Sequence, residues 1–196
     1  GTCAAYGGIP GAAPNPTGAV PVGAIVKDKP IVYVPGCPPI PVVITGVLVQ
    51  YLTFGKLPEL DALGRPRSFY GQTIHDRCYR RPFYERGQFA ESFDDAGARA
   101  GWCLYKLGCK GPETYANCPS ILFGDVGSGS WPVGCGHPCI GCTEQGIGFT
   151  KPIHALATLQ NVAPSAFPRP GEPQGQGATI ATVATVAAVT GLAIGA

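Results

Sequence analysis

Charge of either sign is scarce in this chain and nearly balanced: 14 basic and 12 acidic residues among 196 leave a formal net charge of +2. No global field therefore favours nucleic acid or an acidic substrate. Methionine is absent altogether, so Gly1 is no initiator, and no signal peptide precedes the first motif, Gly1-Thr2-Cys3. The chain reads as lacking an N-terminal portion, and any targeting information with it. Its length allows one compact domain, or one domain and part of another.

Against these absences stand nine cysteines, 29 glycines and 21 prolines. Glycine and proline together make about a quarter of the residues, which borders on low-complexity composition. The cysteines argue against disorder and suggest a loop-rich fold held together by metal, because ligand binding can replace stabilisation from a larger apolar core. With His75, most of them lie in the stretch from His75 to Cys142. Their spacing reads His-x2-Cys (His75, Cys78), Cys-x5-Cys (Cys103, Cys109), Cys118, then Cys-x2-Cys (Cys139, Cys142). An iron–sulfur cluster needs three or four soft donors converging, and short spacings let one turn of backbone supply two of them.

Disulfides are the bland alternative. An odd cysteine count, a helix-like setting for Cys103 and Cys109, and His75 at ligand spacing from Cys78 weigh against them. Zinc stays open, since His75, Cys78, Cys103 and Cys109 alone could make a tetrahedral Cys3His site. Cys135-x3-Cys139-x2-Cys142 would on its own match the motif of radical S-adenosylmethionine enzymes. Those need a barrel after the motif, and only 54 residues follow Cys142.

Along the chain, residues 1–16 are turn-rich. Pro30-Ile31-Val32-Tyr33-Val34 reads as a buried strand, short, apolar and β-branched. It leads through Gly36-Cys37-Pro38-Pro39 into an apolar helix, about 40–54, expected to pack on a sheet. A strand that delivers a cysteine to its C-terminal end before a helix is an α/β arrangement, so Cys3 and Cys37 are expected to meet there. Between residues 65 and 86 six arginines alternate with Phe69, Tyr70, Tyr79, Phe83 and Tyr84. Single-stranded nucleic acid uses such a mix, but guanidinium groups also offset the negative charge of thiolate-bound clusters, and no nucleic acid is expected. Glu91 to Leu107 reads as a helix closed by Gly108. Residues 163–176 form a Pro/Gly-rich linker, and 177–196 are uncharged, long enough for a membrane-anchor helix.

The whole pattern resembles the small subunit of nickel–iron hydrogenases. The likeness rests on Gly1-Thr2-Cys3, Pro14-Asn15-Pro16-Thr17-Gly18, Gly36-Cys37-Pro38-Pro39 and His75-Asp76-Arg77-Cys78. It continues through Gly101-Trp102-Cys103 to Gly111-Pro112, Asn117-Cys118-Pro119, Trp131-Pro132-Val133 and Gly136-His137-Pro138-Cys139-Ile140-Gly141-Cys142. It implies an α/β fold with a loop-rich irregular part: residues 1–60 as the C-terminal part of a flavodoxin-like domain and 61–162 as an iron–sulfur cluster domain. Three clusters are implied. A distal four-iron cluster (4Fe–4S) would use His75, Cys78, Cys103 and Cys109. A medial three-iron cluster (3Fe–4S) would use Cys118, Cys139 and Cys142. A proximal four-iron cluster would use Cys3 and Cys37 with a Cys-x2-Cys pair that this sequence does not contain.

The implied role is electron relay in a membrane-associated hydrogenase, on the periplasmic side of the cytoplasmic membrane. Electrons would pass from the nickel–iron site of a large subunit, by way of the Cys3/Cys37 cluster and the Cys118 set, to the His75 set. A membrane cytochrome b or another acceptor would receive them, with the C-terminal segment in the membrane. No catalytic residue is expected here, since the paired Cys-x2-Cys motifs that hold nickel are absent. Departures from the family are a short insertion around Gly127-Ser128-Gly129 and the additional thiol Cys135, expected to be a small buried thiol unless it reaches the medial cluster. After Cys142 the sequence also lacks the Pro-Asp-Phe-Trp found in many members. Pro132 stands where members with a four-iron medial cluster place cysteine, and Gly8 where oxygen-tolerant members place one. His137 and His154 are expected to be turn and surface residues, and Trp102, Tyr105 and Lys106 helix-packing ones.

Overall fold

The structure is a computed structural model, and it describes residues 1–123, 130–159, 161, 163 and 164. The insertion around Gly127, most of the 163–176 linker and the apolar 177–196 segment lie outside the described residues. Within the described residues no helix is long and apolar enough to cross a membrane. Residues 1–165 form one compact unit.

The helices are short. In order they are α1 (Thr2–Tyr6), α2 (Gly8–Gly11), α3 (Val22–Ile25), α4 (Pro41–Phe54), α5 (Arg67–Tyr70), α6 (Ile74–Arg77), α7 (Arg81–Glu85), α8 (Ala96–Arg99) and α9 (Cys118–Ile121). Single 3-10 turns occupy Tyr105–Leu107 and Gly111–Glu113.

The long helix α4 forms where expected. Pro41 sits in its first turn, where the missing N–H costs nothing, and Gly55 closes it in the left-handed conformation at φ 63°, donating to the Tyr51 carbonyl. It docks through one stripe, Ile40 and Val43 in the core with the Phe69 ring lying against Gly46. The expected sheet beneath it is absent among the described residues. Leu48, Leu52 and Phe54 stand exposed instead.

Two further expectations are corrected. Residues 30–34 form no strand, because no neighbouring segment supplies a ladder; Tyr33 N–H reaches the Gly64 carbonyl, at 2.8 Å. The described residues hold no strand at all, only isolated bridges pairing Leu60 with Pro66, Thr73 with Tyr115 and Phe89 with Cys103. The β component of the α/β reading is therefore not visible in them. Nor is 91–107 one helix. Asp95 caps the single turn of α8, Gly101 then turns at φ 78°, and Trp102 folds back over Gly97. This reversal lays Cys103 beside residues 88–90, where it exchanges main-chain hydrogen bonds with Gln88 and Ala90.

The core extends from Ile40 and Val43 on α4 to Cys139. Ile74, Leu104, Trp131 and Val133 are buried there together with Cys118 and Cys139. Cysteines in a core of single-turn helices mean that the packing is organised around sulfur.

Candidate metal centres

The chain builds its first centre from two adjacent turns and a reversed segment. The Thr73 hydroxyl and the Asp76 carboxylate form a capping box on α6, fixing His75 within the helix and Cys78 just past its end. Cys103 arrives on the segment bridged to Phe89, and Cys109 follows Gly108, whose left-handed φ of 91° ends a 3-10 turn. All four side chains line one cavity of about 20 Å³. The His75 ring stands edge-on to Tyr84, centroids 4.5 Å apart, and burial followed by the Arg81 charge lowers its pKa. That favours the neutral imidazole, the form that ligates metal.

Cys118, Cys139 and Cys142 line a second, almost wholly apolar cavity of about 20 Å³, together with Trp131, Pro132 and Val133. Burial pushes the Cys103 and Cys118 thiols up to about 12 and the Cys139 thiol well above its ordinary value. Thiolates in such cavities need a positive partner to take the proton's place, which is what iron supplies. Main-chain N–H groups already point at the sulfurs: Arg80 to Cys78 Sγ at 3.4 Å, and Cys139 to Cys109 Sγ at 3.3 Å. The second of these crosses from one donor set to the other, so the two cavities share a wall.

No three described His, Cys, Asp or Glu side chains converge on a point where a single metal ion could be held. His75, Cys78, Cys103 and Cys109 instead line one cavity in common, and Cys118, Cys139 and Cys142 another. All nine cysteines are free thiols, so the disulfide alternative is not what this structure shows.

Cys3 and Cys37 form no such enclosure. Thr2 N–H donates to the Gly36 carbonyl at 2.9 Å and Gly36 N–H to Thr2 Oγ1 at 2.8 Å, placing the two cysteines on neighbouring stretches. The Thr2 hydroxyl in turn donates to the Cys142 carbonyl at 2.5 Å. Cys3 itself is exposed. Gly8, at φ 56°, presses so close that an added Cβ would lie 2.9 Å from Cys3 Sγ.

Cys135 is exposed and does not line the second cavity, which corrects the expectation of a buried thiol. It sits on a turn over the Trp131 and Pro132 carbonyls, facing outward. His137 and His154 are exposed, flank Phe93 and bind the Pro138 and Leu107 carbonyls through Nδ1.

Three buried cations surround the centres, and they differ in what neutralises them. Arg65 bonds Asp61 Oδ2 and Glu144 Oε1, each at 2.7 Å. Glu144 Oε1 also accepts from Tyr115 N–H at 2.6 Å, tying the segment after Cys142 to the body of the unit. Arg80 bonds the Tyr79 hydroxyl and the Trp102 carbonyl. Lys110, only 1% exposed, bonds main-chain carbonyls alone. Sequence reasoning took the arginines as a group and overlooked Lys110 and Glu144. Their only signal is position, one residue after Cys109 and two after Cys142.

Similarity to known proteins agrees with this geometry. Residues 70–154 match the family described as the C-terminal part of the NiFe/NiFeSe hydrogenase small subunit, and residues 1–51 match NADH ubiquinone oxidoreductase, 20 Kd subunit. The uptake hydrogenase small subunit of Afipia carboxidovorans is 58% identical over 147 residues, covering 75% of this chain and 40% of that protein. The hydrogenase-2 small chain of Escherichia coli is 46% identical over 196 residues, covering all of this chain and 52% of its own length. Among solved structures, a reduced, active Ni-Fe-Se hydrogenase from Desulfomicrobium baculatum superposes with TM-score 0.66 at 38% identity, over 79% of this chain and 57% of that one. An actinobacterial-type NiFe-hydrogenase from Ralstonia eutropha H16 gives TM-score 0.67 at 28% identity, over 100% and 55%. The chain spans about half the length of the curated relatives it matches.

Proposed function

Because the chain belongs to the small subunits of nickel–iron hydrogenases, we propose that it is the electron-relay component of a membrane-associated hydrogenase. It would work between the nickel–iron site of a large subunit and an external acceptor such as a membrane cytochrome b. His75, Cys78, Cys103 and Cys109 would hold a four-iron cluster, Cys118, Cys139 and Cys142 a three-iron cluster, and Cys3 with Cys37 half the ligands of a further four-iron cluster. Residues 1–60 would be the C-terminal part of a flavodoxin-like domain and 61–162 the cluster domain. The 163–176 linker would lead to a membrane anchor at 177–196, on the periplasmic face of the cytoplasmic membrane.

One observation carries this reading: two cavities lined by soft donors share a wall in which Cys139 N–H bonds Cys109 Sγ at 3.3 Å. Iron–sulfur clusters, when bound, supply one-electron chemistry at potentials set by charge, hydrogen bonding and exposure. The chain's own residues do the rest. The Thr73–Asp76 box orients His75 and Cys78. Trp131 and Val133 keep water from the apolar cavity, which lowers the dielectric around its sulfurs. Pro132 offers no fourth thiolate there, which suits three irons. His75, half-buried beside Tyr84, puts an imidazole where a thiolate would add negative charge, at the edge of an open groove that also includes Asp76 and Arg81. That groove is a suitable exit.

The test is iron and acid-labile sulfide analysis, with electron-spin-resonance of the oxidised protein, on the chain purified with its partners. The expected result is a three-iron signal beside four-iron content, and a nickel-containing subunit in the same complex. Zinc without sulfide, or no nickel-containing partner, overturns the reading.

A further inference from the structure

Lys110 is the most deeply buried charged side chain among the described residues. Its Nζ lies 2.8 Å from the Gly108 carbonyl, 3.2 Å from Pro152, 2.8 Å from Ile153 and 2.6 Å from Ala155. Every one of these partners is an acceptor. A neutral amine has two hydrogens and a lone pair that would face oxygen; an ammonium offers three donors and no lone pair, so the cage fits the charged form.

A buried charge without a countercharge is unstable. Arg65 shows how the chain meets that demand elsewhere, with two carboxylates in direct contact. Lys110 forms no ion pair among the described residues, and the nearby Glu113 is paired with Lys151 at 3.0 Å. Beyond Glu113, whose charge is shared with Lys151, the groups near enough to place negative charge on Lys110 are Cys109 and Cys139.

Its surroundings identify the source. Lys110 follows Cys109 of the first donor set, and its N–H bonds the carbonyl of Cys139, of the second set, at 2.7 Å. Its Cβ packs against Gly141, between Cys139 and Cys142, where an added Cβ would be 3.4 Å away. The main chain and Cβ of the lysine thus lie between the two donor sets, and its Nζ reaches on to the Gly108 and Pro152–Ala155 carbonyls. Arg80, the other buried cation outside any ion pair, lines the His75 cavity alone.

We propose that Lys110 is the shared countercharge of the two cluster sites, a positioning residue that holds both reduction potentials up together. This rests on the proposed cluster-binding function. A fixed positive charge favours the more negative, reduced state of each neighbouring site, so its removal lowers both potentials. Arg80 acts on the His75 site only.

The test uses the full chain in its native complex, with Lys110→Met, Lys110→Gln, Lys110→Arg and Arg80→Gln. Iron and acid-labile sulfide are counted, and the potentials of both sites are followed by redox titration under electron-spin-resonance. The expected result is retained iron in the neutral Lys110 variants, with both potentials shifted negative, the wild-type values in Lys110→Arg, and a negative shift confined to the His75 site in Arg80→Gln. Loss of iron in Lys110→Met and Lys110→Gln with retention in Lys110→Arg also supports the proposal, since charge is then what assembly requires. Retained iron with unmoved potentials in the neutral variants overturns it. So does loss of iron in all three Lys110 variants, which would make Lys110 only a clasp for the Pro152–Ala155 turn. Absence of iron from the wild-type protein instead defeats the proposed function.

Discussion

Residues 1–54 and residues 61–159 use the same donor chemistry in opposite surroundings. In the first, Cys3 is exposed and α4 turns most of its apolar side chains outward. In the second, no helix among the described residues exceeds a turn and a half, yet seven His and Cys side chains line two cavities and even cations are buried. Regular secondary structure and a finished interior are therefore separate achievements. The long helix belongs to a part that its own neighbours leave uncovered, whereas the loops complete theirs around sulfur.

The largest effect that would break this contrast is on metal content. Cys118→Ala should abolish the three-iron signal and lower iron per chain by that site's whole complement. Cys3→Ser should leave the three-iron signal in place, because Cys3 lines neither cavity. Equal loss in both variants would erase the distinction between a closed and an open site.

Next in size is the buried ion network. Arg65→Met strands Asp61 and Glu144 without their partner and should cost roughly 3–5 kcal/mol. The exposed pair Arg67–Glu59 should contribute only about 0–1 kcal/mol, so Arg67→Met serves as its control. Chemical denaturation of both variants decides between them.

A pair of glycines sharpens the comparison further. Gly55 and Gly108 both close helical turns in the left-handed conformation, at φ 63° and 91°. At Gly55 an added Cβ meets nothing, and Gly55→Ala should cost about 1 kcal/mol of backbone strain. At Gly108 it would lie 2.5 Å from the His154 backbone, so Gly108→Ala should cost about 3 kcal/mol once overpacking is included. Thermal melts of the two variants give the ratio.

Smaller still is an effect of pH. Burial raises the Asp61 pKa, but the hydrogen bonds from Arg65 main chain and side chain outweigh it and leave it below the ordinary carboxylate value. Stability from this group is fully present above that ordinary value and is lost as pH falls through the depressed one. The stability gap between wild type and Asp61→Asn should therefore narrow on acidification, as denaturation at neutral and at acid pH would show. The smallest change is expected at Leu52, which is 80% exposed. Leu52→Gln should alter stability by less than about 0.5 kcal/mol and reduce self-association in light scattering.

The grouping of the His and Cys side chains was legible in the sequence because short spacings keep neighbours on one turn. His75 with Cys78, and Cys139 with Cys142, could be paired by turn length alone. α4 was legible from its apolar run, Pro41 and Gly55. Residues 30–34 were misread because β-branched composition speaks for extended backbone, while a strand also needs a partner elsewhere in the chain. The helix expected over 91–107 failed at Gly101, where one positive φ and the stacking of Trp102 on Gly97 outweighed local propensity. Lys110 gave no pattern to read, since three of the four carbonyls of its cage lie more than forty residues away.

The Thr2 hydroxyl accepts from Gly36 and donates to Cys142 across 140 positions of sequence. Contacts of such separation carry a large loop-closure cost. On the ribosome, the surroundings of Cys3 cannot be completed until the segment carrying Cys142 has emerged from the exit tunnel.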